Sequence, residues 1–265
     1  MRLLRGCRVC VAAAAVKEAT LATRQRGSLR GRVVGALFGL LYRNRYLYWF
    51  ASTVPFAGQW RVWQRLVLPR IRGQRVLEIG CGPGKLLADM VRAGYTCAAI
   101  DRSPQMVAAA RDELRRQRLG DRETPISQAD VQHLPFLGAS FDTVVSTFPT
   151  EYIFQPAALR EVARVLRPGG RLVVVLGAGL LATRLPLLPL VGIARLVYGR
   201  SEPAAGHGCT VAAQAAPLPL AAAGLTGKPE CVRGPFWEAY LIVAEKPAAE
   251  TDHPSSGDLP QSAMQ

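Results

Sequence analysis

Histidine is scarce in this chain, with three in 265 residues, and that scarcity already narrows the chemistry. Three histidines leave little material for a nitrogen-rich metal centre. The six cysteines do not supply one either. Cys7 and Cys10 form a single CxxC without a second pair, and Cys81, Cys97, Cys209 and Cys231 are scattered. That spacing carries no disulfide framework, so reduced thiols are the expectation, and no metal site is expected. Long apolar runs are also missing. The longest candidates, residues 33–42 and 185–194, hold ten residues each between arginines, about half of the ~20 that a spanning helix needs.

The start of the chain lacks acid. Before Glu78 there are fifteen Lys/Arg and one acid, Glu18; from Glu78 onward there are eighteen of each. The formal net charge of +14 therefore belongs to the first 77 residues, and the rest is neutral. Such asymmetry points to an N-terminal extension with a task or an address. Residues 1–30 read as a basic, flexible extension. An organellar presequence, a bacterial leader and an over-extended gene start stay open as alternatives.

What is present becomes regular after residue 74. Strand-like runs at 75–79, 95–101, 124–130, 141–148 and 171–179 alternate with helical patterns at 85–94, from Ser103-Pro104 onward, and at 156–166. Serine as cap and proline in the first turn mark the second helix start. The alternation predicts an α/β fold with a doubly wound, mostly parallel sheet. Two further runs, 228–233 and 236–246, flank Gly234-Pro235 at hairpin spacing, which adds a terminal antiparallel hairpin and makes seven strands. The expected organisation is an extension (1–30), N-terminal helices forming a substrate lid (31–72), a main domain (73–247) with an apolar insertion at 179–227, and a polar disordered tail (248–265).

Between the first strand and first helix lies VLEIGCGPGKL, residues 76–86. Glycines there let a ligand approach backbone and leave helix N–H groups facing it. A P-loop is excluded: counting back from Gly84-Lys85, its first glycine falls on Ile79, and Leu86 stands where Ser/Thr is required. A dinucleotide fingerprint fits poorly, because the third glycine comes one residue early and Pro83 removes a donor. Asp101, twenty-one residues after Gly80, has the spacing of a ribose-binding acid.

Glu78 with the three glycines, Asp101 ending strand two, Ala129-Asp130 ending strand three, FDTVVSTF and LREVARVLRPGGRLVVV together resemble class I S-adenosylmethionine-dependent methyltransferases. The resemblance covers residues 60–180 and lies closest to the small-molecule branch with the ubiquinone/menaquinone-biosynthesis-type enzymes. It implies a Rossmann-like methyltransferase fold and S-adenosyl-L-methionine as cofactor. By position, it implies that Gly80, Cys81, Gly82 and Gly84 cradle the methionine end, with Glu78 near the amino group. Asp101 would accept the ribose hydroxyls, Arg102 and Met106 would flank adenine, and Asp130 with Val131 would read its edge. Ser146, Thr147 and Phe148 would face the sulfonium.

Other readings stand beside these. Asp101 also suits support of the Ser103 cap, Asp130 an Asx turn, Met106 a core position, and Cys81 a small filler. Methyl transfer to a ready nucleophile needs no catalytic triad. Glu151 and Tyr152, just after strand four, are the acceptor-side candidates, with His133 and His207 behind them. The expected function is methyl transfer to a small, apolar or lipid-like acceptor by in-line displacement. The alternatives are a non-catalytic cofactor-binding protein of the same fold and an RNA-directed methyltransferase. Nucleic acid is not expected as a partner, because FPTEY lacks the base-methylase tetrad. Residues 29–66 interleave arginine with Phe, Tyr, Trp and Leu, which suits either a lid or peripheral contact with an anionic membrane surface. The expected location is cytoplasmic.

Overall fold

The computed structural model describes residues 58–119, 124–149, 151–180 and 219–248. The expected extension, most of the lid segment, the body of the insertion, His207 and nearly all of the tail lie outside the described residues.

Seven strands form one sheet in the order β3-β2-β1-β4-β5-β7-β6. They are β1 (Arg75–Ile79), β2 (Thr96–Asp101), β3 (Ile126–Gln128), β4 (Phe141–Thr147), β5 (Leu166–Leu180), β6 (Thr226–Arg233) and β7 (Trp237–Glu245). The first five pair in parallel, and β7 pairs antiparallel with both β5 and β6. The chain runs outward from β1 through β2 to β3, then crosses back to β4. That reversal opens a crevice at the carboxyl ends of β1 and β4, the place where open α/β sheets take ligands.

Sequence periodicity explains the layers. In β1, Val76 and Glu78 face one side while Leu77 and Ile79 face the other, as a period of two demands. Val76 joins a core cluster with Leu86, Leu87, Met90, Val107, Leu114, Trp63 and Val67. These side chains come from α1 (Trp60–Gln64), the 3₁₀ turn Arg65–Arg70, α2 (Lys85–Arg92) and α3 (Pro104–Arg116). Leu77 and Ile79 join the opposite cluster with Leu159, Val162 and Val165 of α4 (Pro156–Val165). Helix α3 starts as its sequence dictates: Pro104 stands at its first position, and the Ser103 side chain accepts from the Met106 N–H at 3.4 Å.

The ends of α4 and β5 differ from expectation. Helix α4 ends at Val165 because Leu166 turns extended, at φ −71° and ψ 137°, and Leu166 then pairs with Phe141. Strand β5 is accordingly longer than the 171–179 run. The reduced-thiol expectation is also corrected. Cys81 and Cys97 are free, but Cys231 on β6 is disulfide-bonded.

Candidate active site

The glycine turn is built by its own backbone. After Ile79, the N–H groups of Gly80 and Cys81 both donate to the Ile100 carbonyl, at 2.8 and 3.1 Å, which fastens the turn to the end of β2. Gly80, Gly82 and Gly84 have φ of 73°, 52° and 76°, a left-handed region that side chains disfavour. The glycines do different work. A Cβ on Gly80 would lie 2.7 Å from the Tyr152 hydroxyl, whereas one on Gly84 would lie 2.7 Å from the Ala110 Cα. Gly84 thus lets α2 pack directly on α3. The missing side chain of Gly84 faces a neighbouring backbone.

Asp101 closes the turn from the other side. Its Oδ2 accepts from the Gly82 N–H and its Oδ1 from the Ser103 N–H, both at 2.9 Å. Burial raises its pKa, and backbone N–H groups of Ser103, Gly82 and Arg102 oppose the rise. A carboxylate offers about four lone-pair sites, more than these backbone donors occupy, so acceptor capacity remains for a ligand. The cap-supporting and ligand-binding readings of Asp101 are therefore compatible.

Glu78 is the unusual group. It is 1% exposed, and its Oε2 has no hydrogen-bond partner. Burial pushes its carboxyl well up; the Arg61 guanidinium pulls it down, while Asp101 and Asp89 add to the rise. Buried, unpartnered carboxylate oxygens are costly, by about 1–3 kcal/mol or more. Such a group in a native fold calls for an explanation, and a cation to be received is one. Cys81, 4% exposed and in the core cluster, is held as an inert thiol: burial, then the carboxylates of Glu78 and Asp101, raise its pKa well above normal.

The remaining sequence candidates sort by burial. Arg102 is exposed and Met106 is 2% exposed, on the first turn of α3. Asp130 forms an Asx turn, accepting from the Gln132 N–H at 3.0 Å, and Val131 is a core side chain. His133 is exposed beyond that turn. Ser146 is fully buried and donates to the Ile79 carbonyl at 2.9 Å, so its hydroxyl ties β4 to β1 instead of pointing outward. Thr147 and Phe148 are half-buried at the crevice. Phe148 has φ of 52°, a conformation that costs about 1–3 kcal/mol for a non-glycine residue. Its ring stacks on Trp60 with centroids 4.0 Å apart. Tyr152 comes from the 3₁₀ turn Glu151–Phe154, and its hydroxyl over Gly80 puts it nearer the glycine turn than its place in the sequence suggests. The side chain of Glu151 lies outside what is described.

Sequence reasoning missed how α1 closes this site. Arg61 Nη2 pairs with Asp89 Oδ2 at 2.5 Å and donates to the Lys85 carbonyl at 3.3 Å; Arg65 Nε adds a bond to Asp89 Oδ2 at 2.7 Å. Trp63, wholly buried, meets Trp237 edge-on at 6.3 Å. The available signal was the i, i+4 spacing of Arg61 and Arg65, which puts two guanidinium groups on one helix face. Trp63 is buried and Trp60 is half-buried against Phe148.

Crevice, glycine turn and paired acids define a nucleotide-type cofactor site on a doubly wound sheet. Residues 77–174 match the methyltransferase domain family. It is 37% identical over 147 residues to a demethylmenaquinone methyltransferase of Mycobacterium tuberculosis strain H37Rv, covering 54% of this chain and 58% of the relative. A demethylmenaquinone methyltransferase of Corynebacterium efficiens is 35% identical over 131 residues, covering 48% and 53% respectively. The chain spans less than two thirds of the length of these relatives. A geranyl diphosphate C-methyltransferase from Streptomyces coelicolor superposes with a TM-score of 0.49 at 14% identity, over 70% of this chain and 79% of its own. Among the described residues no helix is long and apolar enough to cross a membrane.

Proposed function

We propose that this protein transfers a methyl group from S-adenosylmethionine to a small, apolar or lipid-like acceptor. The observation that carries the reading is the buried, unpartnered Oε2 of Glu78, set beneath a glycine turn whose far side is pinned by Asp101. The site thus keeps a receptor for an ammonium group next to acceptors for ribose hydroxyls, which is the polar complement of this cofactor.

When bound, the cofactor supplies an activated methyl on a sulfonium, a good leaving group that departs as a neutral thioether. The chain's own residues bind and orient. Glu78 receives the ammonium, Gly80, Cys81 and Gly82 present backbone to the methionine end, and Asp101 takes the ribose. Arg102 and Met106 flank the adenine, with Asp130 and Val131 at its edge. Thr147 and Phe148 border the reacting centre, and Ser146 fixes the strand beneath them. Tyr152 stands between the cofactor and acceptor halves, with Glu151 on the acceptor side. Holding donor and acceptor in line supplies on the order of 7–11 kcal/mol of the barrier reduction. A deprotonating group is required only for an acceptor that must lose a proton.

The apolar acceptor class rests on the relatives, which are demethylmenaquinone methyltransferases, and on the aromatic wall of Trp60 and Phe148. Such an acceptor resides in membranes, so the finer reading is a cytoplasmic protein that meets an anionic surface through its basic first residues. Titration calorimetry with S-adenosylhomocysteine tests the site. Micromolar binding that is lost in Asp101→Ala supports it, and absence of binding by the wild type refutes it.

A further inference from the structure

The glycine turn commits its own N–H groups inside the protein. Those of Gly80 and Cys81 go to the Ile100 carbonyl at 2.8 and 3.1 Å, and that of Gly84 goes to the Cys81 carbonyl at 3.0 Å. The Gly82 N–H goes to Asp101 Oδ2 at 2.9 Å, and Pro83 has no N–H. What the turn and its flanks offer a ligand is therefore electron-rich. The unpartnered Glu78 Oε2 lies on one side, and the Asp101 carboxylate lies on the other.

A hydroxyl stands over the first glycine. Tyr152 Oη lies 2.7 Å from where a Gly80 Cβ would be, so the bare Cα lets the phenol close on the turn. Tyr152 packs on the cluster that holds Leu77, Ile79 and Ile153. Ile153, its neighbour in the same 3₁₀ turn, is wholly buried. The core thus fixes where the hydroxyl sits.

We propose that Tyr152 is a specificity-determining residue whose hydroxyl oxygen favours the charged sulfonium of S-adenosylmethionine over the neutral thioether of S-adenosylhomocysteine. This rests on the S-adenosylmethionine reading above. In that reading Glu78 receives the ammonium and Asp101 the ribose, and the cofactor's sulfur is bonded between those two ends. Residues 80–82 join the two acid contacts, and Tyr152 Oη overhangs the start of that stretch. A phenol oxygen can accept through its lone pairs whatever its own proton binds. A sulfonium spreads positive charge onto its methyl hydrogens and attracts such an oxygen. A thioether turns a lone pair of its own toward it. Tyr152 would thereby help spent product give way to fresh cofactor.

The experiment measures Kd for S-adenosylmethionine and for S-adenosylhomocysteine by calorimetry without acceptor, on the full chain as wild type, Tyr152→Phe and Tyr152→Leu. The proposal expects Tyr152→Phe to weaken S-adenosylmethionine binding roughly three- to tenfold while S-adenosylhomocysteine stays within about twofold. Tyr152→Leu should move the ratio of the two Kd values in the same direction and to a similar extent. An unchanged or reversed ratio in Tyr152→Phe would overturn the proposal, and equal weakening of both ligands counts as unchanged. A ratio shifted by Tyr152→Leu alone would overturn it as well, because the ring and not the oxygen would carry the preference. Failure of the wild type to bind either ligand would instead refute the cofactor reading.

Discussion

Replacing Glu78 by glutamine separates the two duties of this side chain, holding a fold and receiving a ligand. The carboxyl is 1% exposed with an unpartnered oxygen, and burial raises its folded-state pKa, against the pull of Arg61. An acid with a raised folded-state pKa binds its proton more tightly when folded. Its contribution to stability is therefore full below the unfolded pKa, about 4.3 for glutamate, and is lost as pH rises through the folded value. One proton corresponds to a slope of about 1.4 kcal/mol per pH unit within that window. Glutamine has no proton to lose. The stability of Glu78→Gln relative to wild type should therefore climb with pH, from about 4.3 upward, by as much as ~1.4 kcal/mol per unit. For a chain of this size that is about 3–5 °C in Tm per unit. The assay is urea unfolding without cofactor, followed by circular dichroism at four values between pH 4.5 and 8, with wild type and variant side by side. The same variant should lose about ten- to hundred-fold in cofactor affinity, the worth of a charged hydrogen bond. A difference in stability that stays flat across this range would refute the argument, since it would mean that Glu78 is not titrating in a buried site.

Gly84→Ala should destabilise the protein by about 1–3 kcal/mol in denaturant titration, because its Cβ would meet the Ala110 Cα at 2.7 Å from a left-handed backbone; unchanged stability would contradict the packing role. Gly80→Ala should weaken cofactor binding, and Tyr152→Phe in the same chain should recover part of the loss, because the obstructing atom is the tyrosine hydroxyl; calorimetry on the three variants checks this, and an identical loss with and without Tyr152→Phe would contradict it. Trp60→Ala should cost about 0.5–1.5 kcal/mol through the lost stack on Phe148, read as a lower urea midpoint, and an unchanged midpoint would show the stack to be idle. Full-length protein should sediment with anionic vesicles at 0.1 M salt and be released at 1 M, as the Debye length falls from ~10 to ~3 Å; equal binding to neutral vesicles would contradict the electrostatic reading.

The strands were legible because parallel, doubly covered segments are written as short apolar runs with sharp punctuation. The β1 run RVLEI coincides with Arg75–Ile79, and Ser103-Pro104 marks the start of α3. Less legible were features set by contacts between distant elements. That Gly84 serves helix packing depends on where Ala110 arrives, which no local pattern states. Ser146 reads as a polar residue at a strand end, yet its hydroxyl is used by the Ile79 carbonyl of the neighbouring strand. The arginines before residue 77 look like one solvated basic face when counted. Four of them are committed to acids far along the chain: Arg61 and Arg65 to Asp89, Arg70 to Glu230, and Arg72 to Glu245. Charge counts locate an excess but do not say which members are already paired.

Methyl transfer itself is the central claim, and one measurement addresses it directly. The protein is incubated with S-adenosylmethionine carrying a labelled methyl group and a lipid extract of bacterial membranes, with Asp101→Ala as control, and the reaction is partitioned between organic and aqueous phases. The account predicts label accumulating with time in the organic phase, matched by equimolar S-adenosylhomocysteine and strongly reduced in Asp101→Ala. Label confined to the cofactor, in a wild-type protein that binds S-adenosylhomocysteine, would contradict transfer to a lipid-like acceptor.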